Sequence, residues 1–281
     1  MEGPEAEGSL RVVAEQRDAF MKLLREGVRA KLQEQTDDQP ERATHAWQAL
    51  AWRNAYALEP FFVETVCGRP LRIKQLLQGE ITGFGTGLTV WPAACLLLKH
   101  MEHKYGICKQ EGATLNGKLV VELGSGTGAV GIAAAMLGAT RVVLTDIQKL
   151  QFLMESNAQE AQRQCGGHLH IDVEAYEWGD TPNARLHKED GRLPDVVVIS
   201  DCILPKLYPI EPLIEALDRL CGSHTTVIIS YEPRYYEHFN PKTKFWSLIG
   251  QRGFTIQEID KDMYHPHYRA DDIEVWEARR V

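Results

Sequence analysis

Three observations predict an α/β fold doubly wound around a mostly parallel, seven-stranded sheet. From about residue 80 onward, short apolar runs alternate with segments of helical periodicity. Strands separated by helices of that length form β-α-β units, and the strands of such units run parallel. A glycine-rich turn, Gly124 to Gly128, directly follows the apolar run Leu119-Val120-Val121-Glu122-Leu123 and opens into a helical pattern. A second apolar run, Arg141-Val142-Val143-Leu144-Thr145, ends in Asp146, about twenty residues further on, where a doubly wound fold places an acidic group.

The elements follow in order. Residues 1–9 are small and acidic without periodicity, which predicts a disordered tail. From Leu10 to about Gln35 the residues Phe20, Leu23, Leu24 and Val28 recur at helical spacing, and Thr36-Asp37-Asp38-Gln39-Pro40 breaks the helix. A second helical stretch runs from His45 to Tyr56. Residues 1–79 therefore read as a tail and helical extension, ahead of an α/β domain over 80–281. Leu88 to Lys104 reads as a long apolar helix, with Trp91, Ala94, Cys95 and Leu98 on one side. Strands are expected at 118–123, 141–146, 168–173, 195–201, 225–231, 253–259 and 272–278. Helices are expected at 128–137, 148–165, 209–221 and 242–251. No helical pattern joins the last two strands, so they are expected to form an antiparallel hairpin with the C-terminal strand at the sheet edge.

Composition narrows the partners. The 281 residues carry 39 acidic against 31 basic side chains, a formal charge of -8. No basic stripe is visible, so nucleic acid is not an expected partner. No apolar run reaches about 18 residues, and the N-terminus lacks the basic-then-apolar order of a signal peptide. The six cysteines, Cys67, Cys95, Cys108, Cys165, Cys202 and Cys221, are scattered without a C-x-x-C pair. Free thiols in a reducing compartment follow, with cytosolic or nuclear residence. His168 with His170, and His265 with His267, lack a third ligand nearby in sequence, so no metal site is expected. A monomer is expected.

The glycine-rich turn carries the chemistry. Glycines let the backbone turn sharply and approach a ligand, and the helix that follows aims its N-terminal amides at it. A carboxylate at Asp146 suits the two hydroxyls of a ribose. Gly126 to Gly131 spells G-x-G-x-x-G, the dinucleotide pattern. Two features favour another ligand. The glycines begin earlier, at Gly124, and Glu122 stands at the strand end. A pyrophosphate beside that carboxylate is repelled. S-adenosylmethionine has no phosphate, and its sulfonium and ammonium suit a nearby acid.

The ordered set of motifs resembles the seven-β-strand S-adenosylmethionine-dependent methyltransferases, and within them the protein-lysine methyltransferases of family 16, over roughly residues 80–280. The marks are Thr86-Gly87-Leu88-Thr89-Val90-Trp91-Pro92; Glu122 to Gly128, followed by Leu137-Gly138-Ala139 and Leu144-Thr145-Asp146; Trp178-Gly179; and Ser200-Asp201-Cys202-Ile203. The resemblance implies a Rossmann-like fold and methylation of protein lysines. It implies that Trp91 flanks the donor, that Gly124, Ser125 and Gly126 pass beneath its amino-acid end, and that Asp146 holds its ribose. It also implies that Trp178 packs at the adenine and that Ser200 lines the pocket. An indole face can stack on adenine and attract a sulfonium.

On the acceptor side the family pattern is D-x-x-Y. Asp201 is present, but Leu204 stands where the aromatic belongs, and Tyr208 lies four residues beyond. Asp201 is expected to accept an N–H of the acceptor amine, with proximity and orientation carrying most of the rate. Tyr231, in Ser230-Tyr231-Glu232-Pro233-Arg234-Tyr235-Tyr236, is expected on the pocket rim beside a cationic alkyl chain. The Asn/Asp-Pro-Pro-aromatic motif of nucleobase and glutamine N-methyltransferases is absent. Methylation of another nitrogen, on histidine or a small molecule, stays open, as does a donor-binding interaction protein.

Overall fold

The computed structural model describes residues 59–76, 86–107, 113–205, 207–234 and 236–281. The expected tail and the helical stretches 10–35 and 45–56 lie outside the described residues, as does Cys108.

The first described element is a hairpin, β1 (Phe61–Val66) and β2 (Arg69–Lys74), where no strand was expected. Its strands are joined by Cys67 and Gly68 alone, with φ of 48° and 74°. Two left-handed residues in succession make a type I′ connection, whose twist matches that of the paired strands. Phe62, Val66, Leu71 and Ile73 are buried in the same core as the helices that follow. The compact unit accordingly runs from 52 to 281.

Helix α1 (Pro92–Met101) starts four residues later than its apolar pattern. Pro92 fixes the first turn, where a missing N–H costs nothing. A π-helical turn, Glu102–Ile107, extends it. There follow β3 (Leu119–Leu123), α2 (Ala129–Met136), β4 (Arg141–Asp146), α3 (Gln151–Gln164), β5 (Ile171–Ala175), β6 (Val196–Ser200), α4 (Ile210–Leu220), β7 (Thr226–Tyr231), α5 (Pro241–Gly250), β8 (Phe254–Glu258) and β9 (Glu274–Arg280). The sheet order is β5-β4-β3-β6-β7-β9-β8. The first five strands are parallel, and β9 is antiparallel to both of its neighbours.

The C-terminal strand is antiparallel as expected, but it lies one place in from the edge, which β8 takes. Burial accounts for this. Val275, Trp276 and Ala278 of β9 are buried, whereas β8 buries only Phe254. The hairpin and helices α1, α2 and α3 cover one face of the sheet, and α4 and α5 cover the other. Strand order reverses between β3 and β6. In open α/β sheets a crevice forms at that point, beyond the carboxyl ends of the strands.

Candidate active site

The loop after β3 turns on glycines with left-handed φ, 67° at Gly124 and 53° at Gly126. A Cβ on Gly124 would lie 2.7 Å from Cys202 Sγ and 2.9 Å from the Trp178 ring. On Gly126 it would lie 2.7 Å from the carbonyl oxygen of Gly87. The loop thus passes between the 86–88 segment on one side and Trp178 and Cys202 on the other. Ser125 locks it to the neighbouring strand: its N–H donates to Thr145 O at 2.9 Å, and its Oγ accepts the Thr145 N–H at 3.0 Å.

Gly128 precedes α2 and has no side chain to cap it. Glu122 caps the helix instead. Its Oε2 accepts the Gly131 N–H at 2.9 Å. Burial pushes the Glu122 carboxyl up to about 8, against the opposing pull of that N–H. Glu122 therefore sits beneath the helix start with its carboxyl uncharged near pH 7, so the charge repulsion of a pyrophosphate expected from the sequence does not operate there. Asp146 closes the loop from β4: Oδ2 accepts the Gly126 N–H and Oδ1 the Ile147 N–H, each at 2.8 Å. Burial raises its carboxyl, and the two N–H groups pull the other way.

Thr86, which sequence reasoning did not single out as a site residue, joins two that it did. Its carbonyl accepts the Trp91 indole N–H at 2.8 Å, and its own N–H donates to the Tyr208 hydroxyl at 3.0 Å. Trp91 stays 38% exposed, at the start of α1. Tyr208 meets Trp178 edge to face, with ring centroids 5.9 Å apart. Leu204 is buried, and its carbonyl accepts the N–H groups of Leu207 and Tyr208 at 2.8 Å. That turn brings Tyr208 back over the site from one turn beyond the position of the missing aromatic.

Ser200 ends β6 next to Asp201, half-buried, with its carbonyl 3.3 Å from Cys202 Sγ. Asp201 is buried, and its carboxylate is held by Arg234 at 2.8 and 2.6 Å. Tyr231 ends β7, near the Asp201–Arg234 pair. It is buried on the α4–α5 face of the sheet, with its ring 5.0 Å from Trp276. Side chains alternate along a strand, so Tyr231 faces away from the α1 side. Burial raises its phenol to about 12. Sequence reasoning also missed Cys202 and Arg234 as contacts. Arg234 had one available signal, its place just past the end of a strand adjacent to β6.

Among the described residues no group of His, Cys, Asp and Glu could hold a metal ion, and no helix is long and apolar enough to cross a membrane. S-adenosylmethionine fits the loop by its shape and donor set. Glycine at 124 and 126 lets the loop lie flat between Trp178, Cys202 and Gly87, and Asp146 stands at the adjoining strand end.

A doubly wound sheet with this loop at its switch point defines the class of S-adenosylmethionine-dependent methyltransferases. Residues 70–251 match the family described as lysine methyltransferase, and the chain belongs to that family. It is 32% identical over 196 residues to Protein N-lysine methyltransferase METTL21A of Danio rerio, covering 69% of this chain and 78% of that protein. To EEF1A lysine methyltransferase 3 of Mus musculus it is 31% identical, over 74% of this chain and 81% of the relative. Protein-lysine N-methyltransferase EFM6 of Saccharomyces cerevisiae is 28% identical over 70% of this chain and 82% of its own. Among solved structures, the T. thermophilus 16S rRNA methyltransferase RsmC aligns with a TM-score of 0.50 at 18% identity, over 79% of this chain and 50% of that one, a likeness of fold alone.

Proposed function

We propose that this S-adenosylmethionine-dependent enzyme, acting as a monomer in the cytosol or nucleus, receives a protein lysine over the carboxyl ends of β6 and β7 and methylates its side-chain nitrogen. The observation that carries the reading is the adjacency of two half-sites: the donor loop with Asp146, and Asp201 one strand away across Cys202. Gly124, Ser125, Gly126 and Asp146 would hold the donor, which supplies an electrophilic methyl group when bound. The rest falls to the chain's own residues. A lysine amine in water loses its extra proton only near pH 10.4, roughly, so it has to reach the site already neutral. Asp201 accepts one of its N–H groups and aims the lone pair. Trp178 and Tyr208 wall the site with ring faces and edges, a surface suited to an alkyl chain ending in a cation.

The formal charge of -8 supports a protein acceptor over a nucleic acid. The described cysteines Cys67, Cys95, Cys165, Cys202 and Cys221 are free thiols, which supports a reducing compartment. EEF1A, named in the mouse relative, is the first acceptor to assay.

The test is to incubate the purified protein with methyl-labelled donor and either EEF1A or a cell extract, then locate the label by mass spectrometry. Label on lysine is expected, with Asp146→Ala reducing it at least about tenfold, as loss of a charge-assisted hydrogen bond of roughly 1.5–3 kcal/mol implies. Label on histidine or a small molecule instead would overturn the lysine assignment.

A further inference from the structure

The Asp201 carboxylate is already engaged. Arg234 holds both of its oxygens, Nη1 donating to Oδ1 at 2.8 Å and Nη2 to Oδ2 at 2.6 Å. The backbone N–H of Glu232 adds a third bond, to Oδ1 at 3.3 Å. Nη1 also donates to the Glu232 carbonyl at 3.1 Å, which fixes the plane of the guanidinium. Asp201 itself is 6% exposed and has a left-handed φ of 54°. Its N–H donates to Ser230 O on β7 at 2.9 Å. A buried non-glycine residue kept in that conformation is over-determined by its surroundings, a condition that gathers at functional sites. A carboxylate offers about four acceptor positions. Three are filled, and the one left is on Oδ2.

We propose that Arg234 is a positioning residue for methyl transfer: it holds the Asp201 carboxylate with a single open acceptor position, on Oδ2, which receives one N–H of the acceptor amine. The proposal rests on the lysine reading above. Two consequences follow from the chemistry of the pair. The fork is specific to arginine, because a lysine at 234 would supply a point charge and no second parallel bond. Arg234 also offsets the charge of Asp201. A bare buried carboxylate would favour the ammonium form of the arriving lysine, the form that cannot attack.

Among the described residues, the other ionisable groups near the pair are these. Glu232, with Oε2 at 3.8 Å from Arg234 Nη2, and Tyr236 lie on the segment after β7. Tyr231 lies on β7 and Cys202 follows Asp201. Burial raises the Tyr231 phenol and the Cys202 thiol, so both are neutral near pH 7. Asp146 and Glu122 act on Cys202 from the donor side, and Glu122 titrates near 8. Those donor-side groups are the same in the wild type and in position-234 variants, so the difference between profiles reports on the acceptor side.

The experiment compares wild type, Arg234→Met, Arg234→Lys and the double variant Asp201→Asn/Arg234→Met. Methyl incorporation into extract protein lysines is followed from about pH 6.5 to 10, spanning the range in which a lysine amine held near a charge loses its proton. Binding of S-adenosylhomocysteine is measured by calorimetry, and folding by thermal unfolding. Arg234→Met is expected to move the alkaline rise of the profile up by about one pH unit, the lower end of what a nearby opposite charge does to a pKa, and so to cut the rate near neutrality at least about tenfold. Affinity for S-adenosylhomocysteine is expected to stay within about twofold, because the hydrogen bonds and ion pairs of Arg234 go to Asp201 and Glu232 and not to the donor loop. Arg234→Lys is expected to restore the position of the rise but not the full rate. The double variant is expected to restore the position at low rate. A wild-type profile in a folded Arg234→Met overturns the proposal. So does an unmoved profile with donor affinity and unfolding temperature falling together, which would mark a purely structural residue. If wild type labels no lysine at any pH, the lysine reading itself fails; a wild type active on lysine with an unmoved variant profile fails Arg234 alone.

Discussion

Glu122 caps α2 from a neighbouring strand, at a position where the helix's own first residues are glycine and alanine. A side-chain cap contributes about 1 kcal/mol. Here it comes with a titration. In the fold the carboxyl ionises near 8 because it is buried, and in the unfolded chain near the ordinary glutamate value of about 4.3. The folded protein therefore holds this proton more tightly. The stability this confers is complete below the unfolded value and is lost as pH rises through 8. Glu122→Gln keeps a carbonyl for the Gly131 N–H and does not titrate. Its thermal midpoint is expected to gain on the wild type from about pH 5 to 8 and to level off above that. A difference that stays flat over that range would mean that Glu122 is already ionised in the fold. Gly126 makes the companion case. A methyl group there would meet the Gly87 carbonyl at 2.7 Å on a backbone with φ 53°. The conformation alone costs an L-residue about 1–2 kcal/mol, so Gly126→Ala is expected to lower the unfolding midpoint. It is also expected to weaken S-adenosylhomocysteine binding in calorimetry, since the loop and the 86–88 segment have to part to admit the methyl group. Unchanged binding would show that the loop's close approach to Gly87 serves packing only.

The hairpin and α1 are held together by charge as well as by packing. Lys99 is buried on α1, and its ammonium donates to Thr65 O at 2.6 Å and to Glu102 Oε2 at 3.0 Å, with Glu64 Oε2 at 3.2 Å. Tyr268 donates to the other oxygen of Glu64 at 2.7 Å, and the Cys67 N–H donates to Glu102 Oε1 at 2.5 Å. One ammonium thus ties the hairpin, α1 and the segment before β9. Breaking a buried pair by removing one partner costs about 3–5 kcal/mol, because the charge left behind stays buried. Lys99→Met is expected to lose that much in urea unfolding, and adding Glu64→Gln and Glu102→Gln to recover part of it. A cost under about 1 kcal/mol would show that the cluster is as weak as a surface pair. None of this was legible in the sequence, for physical reasons. Lys99 lies inside an apolar run that reads as plain core helix, and Glu64 and Thr65 are more than thirty residues upstream. The hairpin was hidden too. Phe61 and Val63 fill the outward positions of β1 with apolar side chains, which blurs the period of two, and Cys67-Gly68 is not one of the pairs that usually signal a type I′ turn.

At the scale of the whole molecule, the glycine loop and its acidic strand end were legible as local patterns, whereas the contacts made by Asp201 and Tyr208, residues the sequence did single out, were not. The inner parallel strands β3, β4, β6 and β7 announce themselves as mostly apolar runs, and a glycine loop followed by an acidic strand end is a local pattern that survives folding. The acceptor half is assembled from separate segments. Asp201 meets Arg234 across 33 residues, and Tyr208 reaches Thr86 across 122. The same non-local logic connects the hairpin to the site. Asn157 on α3 bonds β2 at the N–H and carbonyl of Lys74, at 2.8 and 3.1 Å, and also the carbonyl of Thr127 in the donor loop, at 2.9 Å. Gln75 accepts the Val90 N–H at 2.7 Å, and the Leu76 N–H donates to Leu88 O at 2.9 Å, holding the segment that covers Gly126. The hairpin also contributes Phe62, Val66, Leu71 and Ile73 to the core. At about 1.5–3 kcal/mol for each buried side chain, their removal approaches or exceeds the roughly 5–15 kcal/mol by which a domain is stable. A chain starting at Trp52 is therefore expected to unfold cooperatively near the full-length midpoint and to bind S-adenosylhomocysteine. One starting at residue 80 is expected to be unfolded or molten at the same temperature, with loss of the near-ultraviolet dichroism that reports fixed aromatic packing. If the shorter chain instead melts cooperatively at the same midpoint and still binds, the donor loop is organised by the sheet alone, and Asn157 transmits nothing from the hairpin.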